Sequence, residues 1–294
     1  MQEKSILKLC KESAFAGSKA IECYKPKRAR VKLGWVGHHS IVSSADFLSQ
    51  ASLLKVLDKH DSNSYFITEE HVKNPRFKKR LITENNLDIL KTSGVYIIDE
   101  LDGSSSFNIG HYEWSVSVGY VNRLVHVAGA ISAPKVYGGA LFSALRGNGA
   151  FIKTINGEER IKVRGYEGLK NSYVVVGPDC FLPKYPSHNR MLLQLGDLAR
   201  TMNGNGSCAL ALCLVAAGKA DALIQPVQSP WDWAAGKVIL EEAGGTMKFY
   251  EMQAERIIPI DKLRPKHYDP SLRSAGFVAG NKKIVQEIMK ILVR

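Results

Sequence analysis

Directly after the apolar run VYII, the sequence DELDGSSSF places two aspartates, Asp99 and Asp102, three residues apart. If the chain turns there at a strand end, both carboxylates converge on one point, and hard divalent cations such as Mg²⁺ take oxygen ligands of this kind. The Gly103-Ser104-Ser105 that follows can open a helix whose free N–H groups and positive dipole end suit a phosphate. Carboxylates for a cation beside N–H groups for an anion would make a metal-assisted phosphate site. A plain turn at a strand end also explains these residues, because Asp, Gly and Ser are all turn formers.

Other acids stand in comparable places. Glu69 and Glu70 follow the apolar YFIT, Asp46 stands in SSAD at the start of an expected helix, and Asp232 stands in WDWAAG among indoles and small residues. Capping a helix is the common duty of an aspartate at such a start, so Asp46 and Asp232 are not diagnostic singly. Together the acids weigh more, because clustered carboxylates repel one another strongly unless a cation sits among them. A phosphate monoester is dianionic and resists an incoming hydroxide, and two divalent ions both neutralise it and acidify a bound water.

These residues need elements to position them. Helical spacing runs through residues 4–23 and 45–58, and SYFIT (64–68) and GVYII (94–98) are short buried strands that run into acids. From Trp114 the stretches WSVSVGYV, VHVAGAISA and GALFSAL form an antiparallel meander, with Gly147-Asn148-Gly149 as a hairpin turn. Strand 173–176, helix 191–200, helix 208–217, strand 222–225, helix 234–242, strand 276–279 and helix 283–292 follow, with an irregular loop over 253–272. This order predicts an α+β domain over 1–155 fused to an α/β domain over 156–294.

Composition narrows the class. With 45% hydrophobic and 23% charged residues over 294, the chain is neither disordered nor fibrous, and no apolar stretch approaches the roughly 20 residues that cross a bilayer. Five scattered cysteines without a C-x-x-C pair predict reduced thiols, and the N-terminus lacks a secretory core, so a cytoplasmic location is expected. A net charge of +12 favours anionic partners. Basic residues cluster at Lys25, Lys27, Arg28, Arg30 and Lys32 and again at Arg76, Lys78, Lys79 and Arg80, without the interleaved aromatics of a single-strand binding face. Nucleic acid is compatible with the charge but not indicated by it. His38-His39, in a loop-like stretch, is expected to be exposed rather than to ligate metal.

DELDGSSSF, with FITEE (66–70) upstream and WDWAAG and EAGG (242–245) downstream, resembles the inositol monophosphatase family, whose motifs are Asp-Pro-Ile-Asp-Gly-Thr-Thr-Asn-Phe, Phe-Ile-Gly-Glu-Glu and Trp-Asp-x-Ala-Ala-Gly. GSCA (206–209) and the central meander also match, so the resemblance spans roughly residues 5–290. It implies a layered αβαβα sandwich of the sugar phosphatase type and a Mg²⁺-dependent, lithium-sensitive phosphomonoesterase, commonly a homodimer, acting on a small phosphorylated substrate. Carried over, Glu69, Asp99 and the carbonyl of Leu101 would hold one Mg²⁺, and Asp99, Asp102 and Asp232 a second, with a weaker third near Glu69. Ser104 would help deprotonate the attacking water with Glu69 or Asp46 as partner, and the N–H groups of Gly103 and Ser104, with Ser105 beside them, would grip the phosphate.

Departures from the motifs bear on specificity. Glu100 stands for a proline, Thr68 for a glycine and Ser104 for a threonine. Strand alternation should point Glu100 away from its acidic neighbours. Where the family has a glutamate that contacts sugar hydroxyls, this chain has Gln225, and Cys208 replaces a small neighbour; both are candidate substrate contacts, and an amide offers different hydrogen bonding from a carboxylate. An inositol monophosphate-like ester is the first expectation. 3′-Phosphoadenosine 5′-phosphate or fructose 1,6-bisphosphate is the alternative, and an RNA-associated regulatory protein on a phosphatase fold is the reading from another class.

Overall fold

The computed structural model describes residues 2–24, 30–33, 39–177, 180, 186–253, 256–273 and 275–293. Helix α1 (Glu3–Ile21) turns Ile6, Leu9, Cys10, Ala14 and Ile21 to one buried side, the spacing expected of an amphipathic helix. A hairpin of β1 (Arg30–Leu33) and β2 (His39–Val42) precedes α2 (Ser44–His60). Then come β3 (Tyr65–Thr68), the one-turn α3 (Pro75–Lys78), β4 (Gly94–Asp102) and the short α4 (Ser104–Asn108). The meander is β5 (Ser115–Asn122), β6 (Val125–Ala133), β7 (Ala140–Leu145), β8 (Gly149–Thr154) and β9 (Gly157–Ile161). The second half runs β10 (Tyr173–Val176), α5 (Pro186–Leu198), β11 (Thr201–Gly204), α6 (Cys208–Ala216), β12 (Ala222–Gln228) and α7 (Pro230–Glu242). It ends with β13 (Thr246–Gln253), β14 (Arg256–Ile260), β15 (Ala275–Gly280) and α8 (Lys282–Leu292).

Strands β3 to β9 form one sheet in sequence order, parallel between β3 and β4 and antiparallel thereafter. The second sheet has the order β11-β10-β12-β15-β13-β14. Helices α1 and α2 cover the outer face of the first sheet, α6 and α7 lie between the sheets, and α5 and α8 pack beyond the second. The result is the expected αβαβα sandwich. Alternation along β4 divides its side chains between two cores: Val95 and Ile97 join the central layer, Tyr96 and Ile98 the outer one.

How closely α7 approaches the first sheet decides the site. Gly119 and Gly129 pair across β5 and β6, and a Cβ on either would lie 2.9 Å from Ala235 N or 2.5 Å from Ala235 O. The α7 backbone therefore seats directly on the sheet, which explains the small Ala234-Ala235-Gly236 after WDW. Gly236 leaves the same kind of room for α6, since a Cβ there would meet Leu212 at 2.5 Å. Buried His126 ties β6 to this helix: its Nδ1 lies 3.2 Å from Ala234 O and its Nε2 2.8 Å from Tyr268 Oη. Burial lowers the His126 pKa to about 3, so the ring is neutral, with Nδ1–H donating to the helix carbonyl.

Several elements differ from their expected bounds. Helix α7 starts at Pro230, not near 234, because Ser229 caps it and Pro230 occupies the first turn. The expected loop over 253–272 contains β14, which pairs with β13, and a 3₁₀ turn at Pro265–Tyr268. Ile257 of β14 and Tyr268 of that turn face the core. The boundary read at residue 155 falls in the β8–β9 turn, and β9 still pairs with the first sheet. Lys25, Lys27, Arg28 and His38 lie outside the described residues.

Candidate active site

Asp99 and Asp102 are three residues apart on β4, and a regular strand would send them to opposite faces. A bulge corrects this. Asp99 pairs with Ser117 but Asp102 with Ser115, so β4 carries one residue more than its partner over that interval. Both aspartates thereby face the central layer, while Glu100 turns to the outer face as alternation predicts. Asp232, third residue of α7, completes the group: carboxylate oxygens of Asp99, Asp102 and Asp232 all lie within 4.8 Å of one another.

Each carboxylate is held from behind. Asp99 Oδ1 accepts from the N–H of Leu101 at 3.0 Å. Asp102 sits at the start of α6, accepting from Ser207 Oγ at 2.5 Å, Ala209 N at 2.6 Å and Cys208 N at 3.3 Å. Asp232 Oδ2 accepts from Ser229 N at 2.9 Å, so its capping role and its place in the cluster coexist. Ser207, the tightest support of Asp102, is a site residue the sequence did not single out beyond its motif; an N-cap serine before an apolar helix was its only signal.

The electrostatics are those of crowded anions. Burial, then the charges of Glu69, Asp102, Asp232 and Glu100, hold the Asp99 carboxyl well above the usual carboxylate range. Burial pushes Asp102 up to about 6 against the hydrogen bonds from Ser207, Ala209 and Cys208. Asp232 is raised by burial and by its acidic neighbours, while Arg273 opposes the rise. Glu69, in the bend after β3, stands outside the 4.8 Å group, yet its charge is the largest acting on Asp99. Hard oxygen donors, buried and mutually repelling, fit a divalent cation.

Beside them Ser104 Oγ lies 3.0 Å from Asp46 Oδ1 and 2.8 Å from Leu101 O. Asp46 also caps α2, its Oδ2 accepting from Ser43 N and Oγ. Of the two partners expected for Ser104, the hydrogen bond is to Asp46. Gly103 has φ +89°, and a Cβ there would lie 2.6 Å from Glu113 O, so only glycine fits the turn that ends β4 and begins α4. Ser105 is exposed on α4. Cys208 is buried against the carboxylates: burial, then Asp232, Asp102 and Asp99, raise its thiol, and a hydrogen bond with Gln225 opposes them. Gln225 is buried too, with its carbonyl taken by Gln228 Nε2 at 3.0 Å.

The second basic cluster is partly committed elsewhere. Arg80 spans Asp58 Oδ1, Ser64 O and Asp61 O at 2.7–2.8 Å and covers the Phe66 ring, and Arg76 pairs with Asp58. Those two guanidiniums staple α2 to the segment after β3.

A layered sandwich whose seam gathers carboxylates beside a serine hydroxyl is the architecture of a phosphate monoester hydrolase. The chain belongs to the inositol monophosphatase family, whose model matches residues 2–292. It is similar to the putative Nus factor SuhB of Neisseria meningitidis, 30% identical over 79% of this chain and 82% of that one. It is also similar to the fructose-1,6-bisphosphatase/inositol-1-monophosphatase of Aquifex aeolicus, 29% identical over 82% of this chain and 84% of the other. Among solved structures, the extragenic suppressor protein suhB of Bartonella henselae superposes with a TM-score of 0.76 at 25% identity, covering 98% of each chain. The inositol monophosphatase of Anabaena shares the fold, with a TM-score of 0.72 at 23% identity over 98% of this chain and 95% of that one.

Proposed function

We propose that this chain is a Mg²⁺-dependent phosphomonoesterase of small phosphorylated metabolites, with inositol monophosphate-like esters as the first substrate class. The convergence of Asp99, Asp102 and Asp232 beside the Ser104–Asp46 pair carries the reading. Glu69, Asp99 and the Leu101 carbonyl would hold one ion and Asp99, Asp102 and Asp232 a second, with a weaker third near Glu69. Bound there, Mg²⁺ would supply charge neutralisation of the phosphate and a water acidified towards hydroxide. The chain's own residues do the rest. Ser104 Oγ accepts a proton from the attacking water as its own passes to Asp46 Oδ1, a relay the hydrogen bond already sets up. The N–H groups of Gly103 and Ser104 orient the phosphate, with Ser105 at the exposed rim, and Cys208 and Gln225 line the leaving-group side.

A panel of phosphate esters assayed with Mg²⁺, without it, and with added Li⁺ tests this reading. Mg²⁺-dependent, Li⁺-inhibited release of phosphate is expected, whereas equal turnover in EDTA would remove the metal assignment. Preference for 3′-phosphoadenosine 5′-phosphate or fructose 1,6-bisphosphate would select the alternative substrate class. A homodimer in the cytoplasm completes the proposal, on the family resemblance.

A second reading is favoured by the relatives named as Nus factors and by the net charge of +12. In it the fold also serves an RNA-associated regulatory role. Such a role needs basic surface rather than the carboxylate pocket, and the two are separable by mutation.

A further inference from the structure

Two residues that depart from the family's motifs, Thr68 and Glu100, lie 32 positions apart in sequence and meet on the backbone of one residue, Glu70. Thr68 Oγ1 donates to the carbonyl of Glu70 at 3.0 Å. Gln50, reaching across from α2, donates through Nε2 to the same carbonyl at 2.9 Å and to Glu100 Oε1 at 2.7 Å. Glu100 Oε2 in turn accepts from the N–H of Glu70 at 3.4 Å. Gln50, Thr68, Glu70 and Glu100 are all buried, Glu100 completely.

The chain leaves β3 at Thr68 and bends at 69–70, and no ladder bond fixes a bend of this kind. Here three side chains grip the backbone of Glu70 on both its donor and its acceptor. Glu69 is the residue immediately before, so the grip fixes where its carboxylate stands relative to Asp99. Glu100 does this from the outer face of β4, one residue from Asp99 but on the side away from it. A proline at position 100 could offer no such acceptor.

We propose that Thr68, Gln50 and Glu100 form a clamp of positioning residues that holds Glu69 at the cation site and so sets the affinity for one divalent ion. The inference rests on the metal-dependent reading above. Residues that orient ligands from behind are worth about tenfold or more in metal affinity when removed.

The test is titration of the metal-stripped full-length protein with Mg²⁺ by calorimetry, and with Mn²⁺ followed by its electron paramagnetic resonance signal. Glu100→Gln replaces an acceptor by a donor opposite Glu70 N–H and should weaken one binding phase by about tenfold. Because it also removes a negative charge near the ions, Thr68→Val is the sharper variant: it keeps volume and β-branching and deletes only the hydroxyl. Thr68→Val should weaken the same phase, Thr68→Ser should restore it, and the Mg²⁺ concentration for half-maximal activity should shift more than kcat. Folded Thr68→Val with wild-type titration curves overturns the clamp while leaving the hydrolase reading intact. A wild-type protein that binds neither ion overturns both.

Discussion

A serine hydroxyl has one proton to give, and Ser104 Oγ has two acceptors within reach, Asp46 Oδ1 and Leu101 O. The choice matters, because a proton directed at Asp46 can pass on to a carboxylate, whereas one directed at the Leu101 carbonyl has no base to receive it. Asp99 is the other decisive residue, being shared by both proposed ion sites. Asp99→Asn should lower turnover roughly a thousandfold, about 4 kcal/mol of lost transition-state stabilisation. If the RNA-associated reading also holds, that variant should keep any salt-sensitive RNA binding; loss of both together would tie the binding to the pocket. The acids themselves were legible from type and spacing. Their convergence was expected from a turn at the strand end; the device that produces it, a bulge between Asp99 and Asp102, is one that no local residue announces. Nor could sequence show that Gln225 spends its carbonyl on Gln228.

At the level of elements, the site depends on how deeply α7 sinks onto the first sheet. Gly119 and Gly129 look like ordinary strand residues in sequence, yet together they clear the seat for Ala235. Gly129→Ala would put a methyl 2.5 Å from Ala235 O and lift the helix, carrying Asp232 away from β4. Displacements of about 1 Å at a reacting centre cost on the order of a hundredfold, so kcat should fall by about that factor while α6 still caps Asp102. Unchanged kcat in a folded Gly129→Ala would show that the seat is not critical. The central strands and most helices were readable from periodicity, whereas β1, β2, β9, β11, β13 and β14 were not. Helix α7 was placed four residues late, although Ser229-Pro230 is a standard start signal, because the indoles at 231 and 233 obscured the helical pattern.

For the molecule as a whole, the buried acids couple stability to pH and metal. Asp99, Asp102 and Asp232 have folded values above the ordinary 3.8, so between the two values the folded chain holds more protons than the unfolded one. Stability from these groups is therefore complete below about pH 4 and is lost as pH rises, for Asp102 through about 6. A divalent ion displaces those protons and relieves the repulsion. The rise in Tm on adding Mg²⁺ should then be larger near pH 7.5 than near pH 5, on the order of several degrees; equal shifts at both would contradict the coupling. The charge of +12 foretold an anion-seeking surface, but Arg80, largely buried against Asp58 and the carbonyls of Ser64 and Asp61, shows that part of it is spent within the fold.

Strand β15 has a further implication. It is nearly the last element of the chain and yet sits inside the second sheet, between β12 and β13. During synthesis the acids at 69, 99, 102 and 232 all leave the ribosome before residues 275–280 can bridge those two strands. A nascent chain would thus carry its chemistry incomplete, with two open sheet edges, until residues 275–280 have emerged. Catalysis should switch on abruptly once they do rather than grow with length.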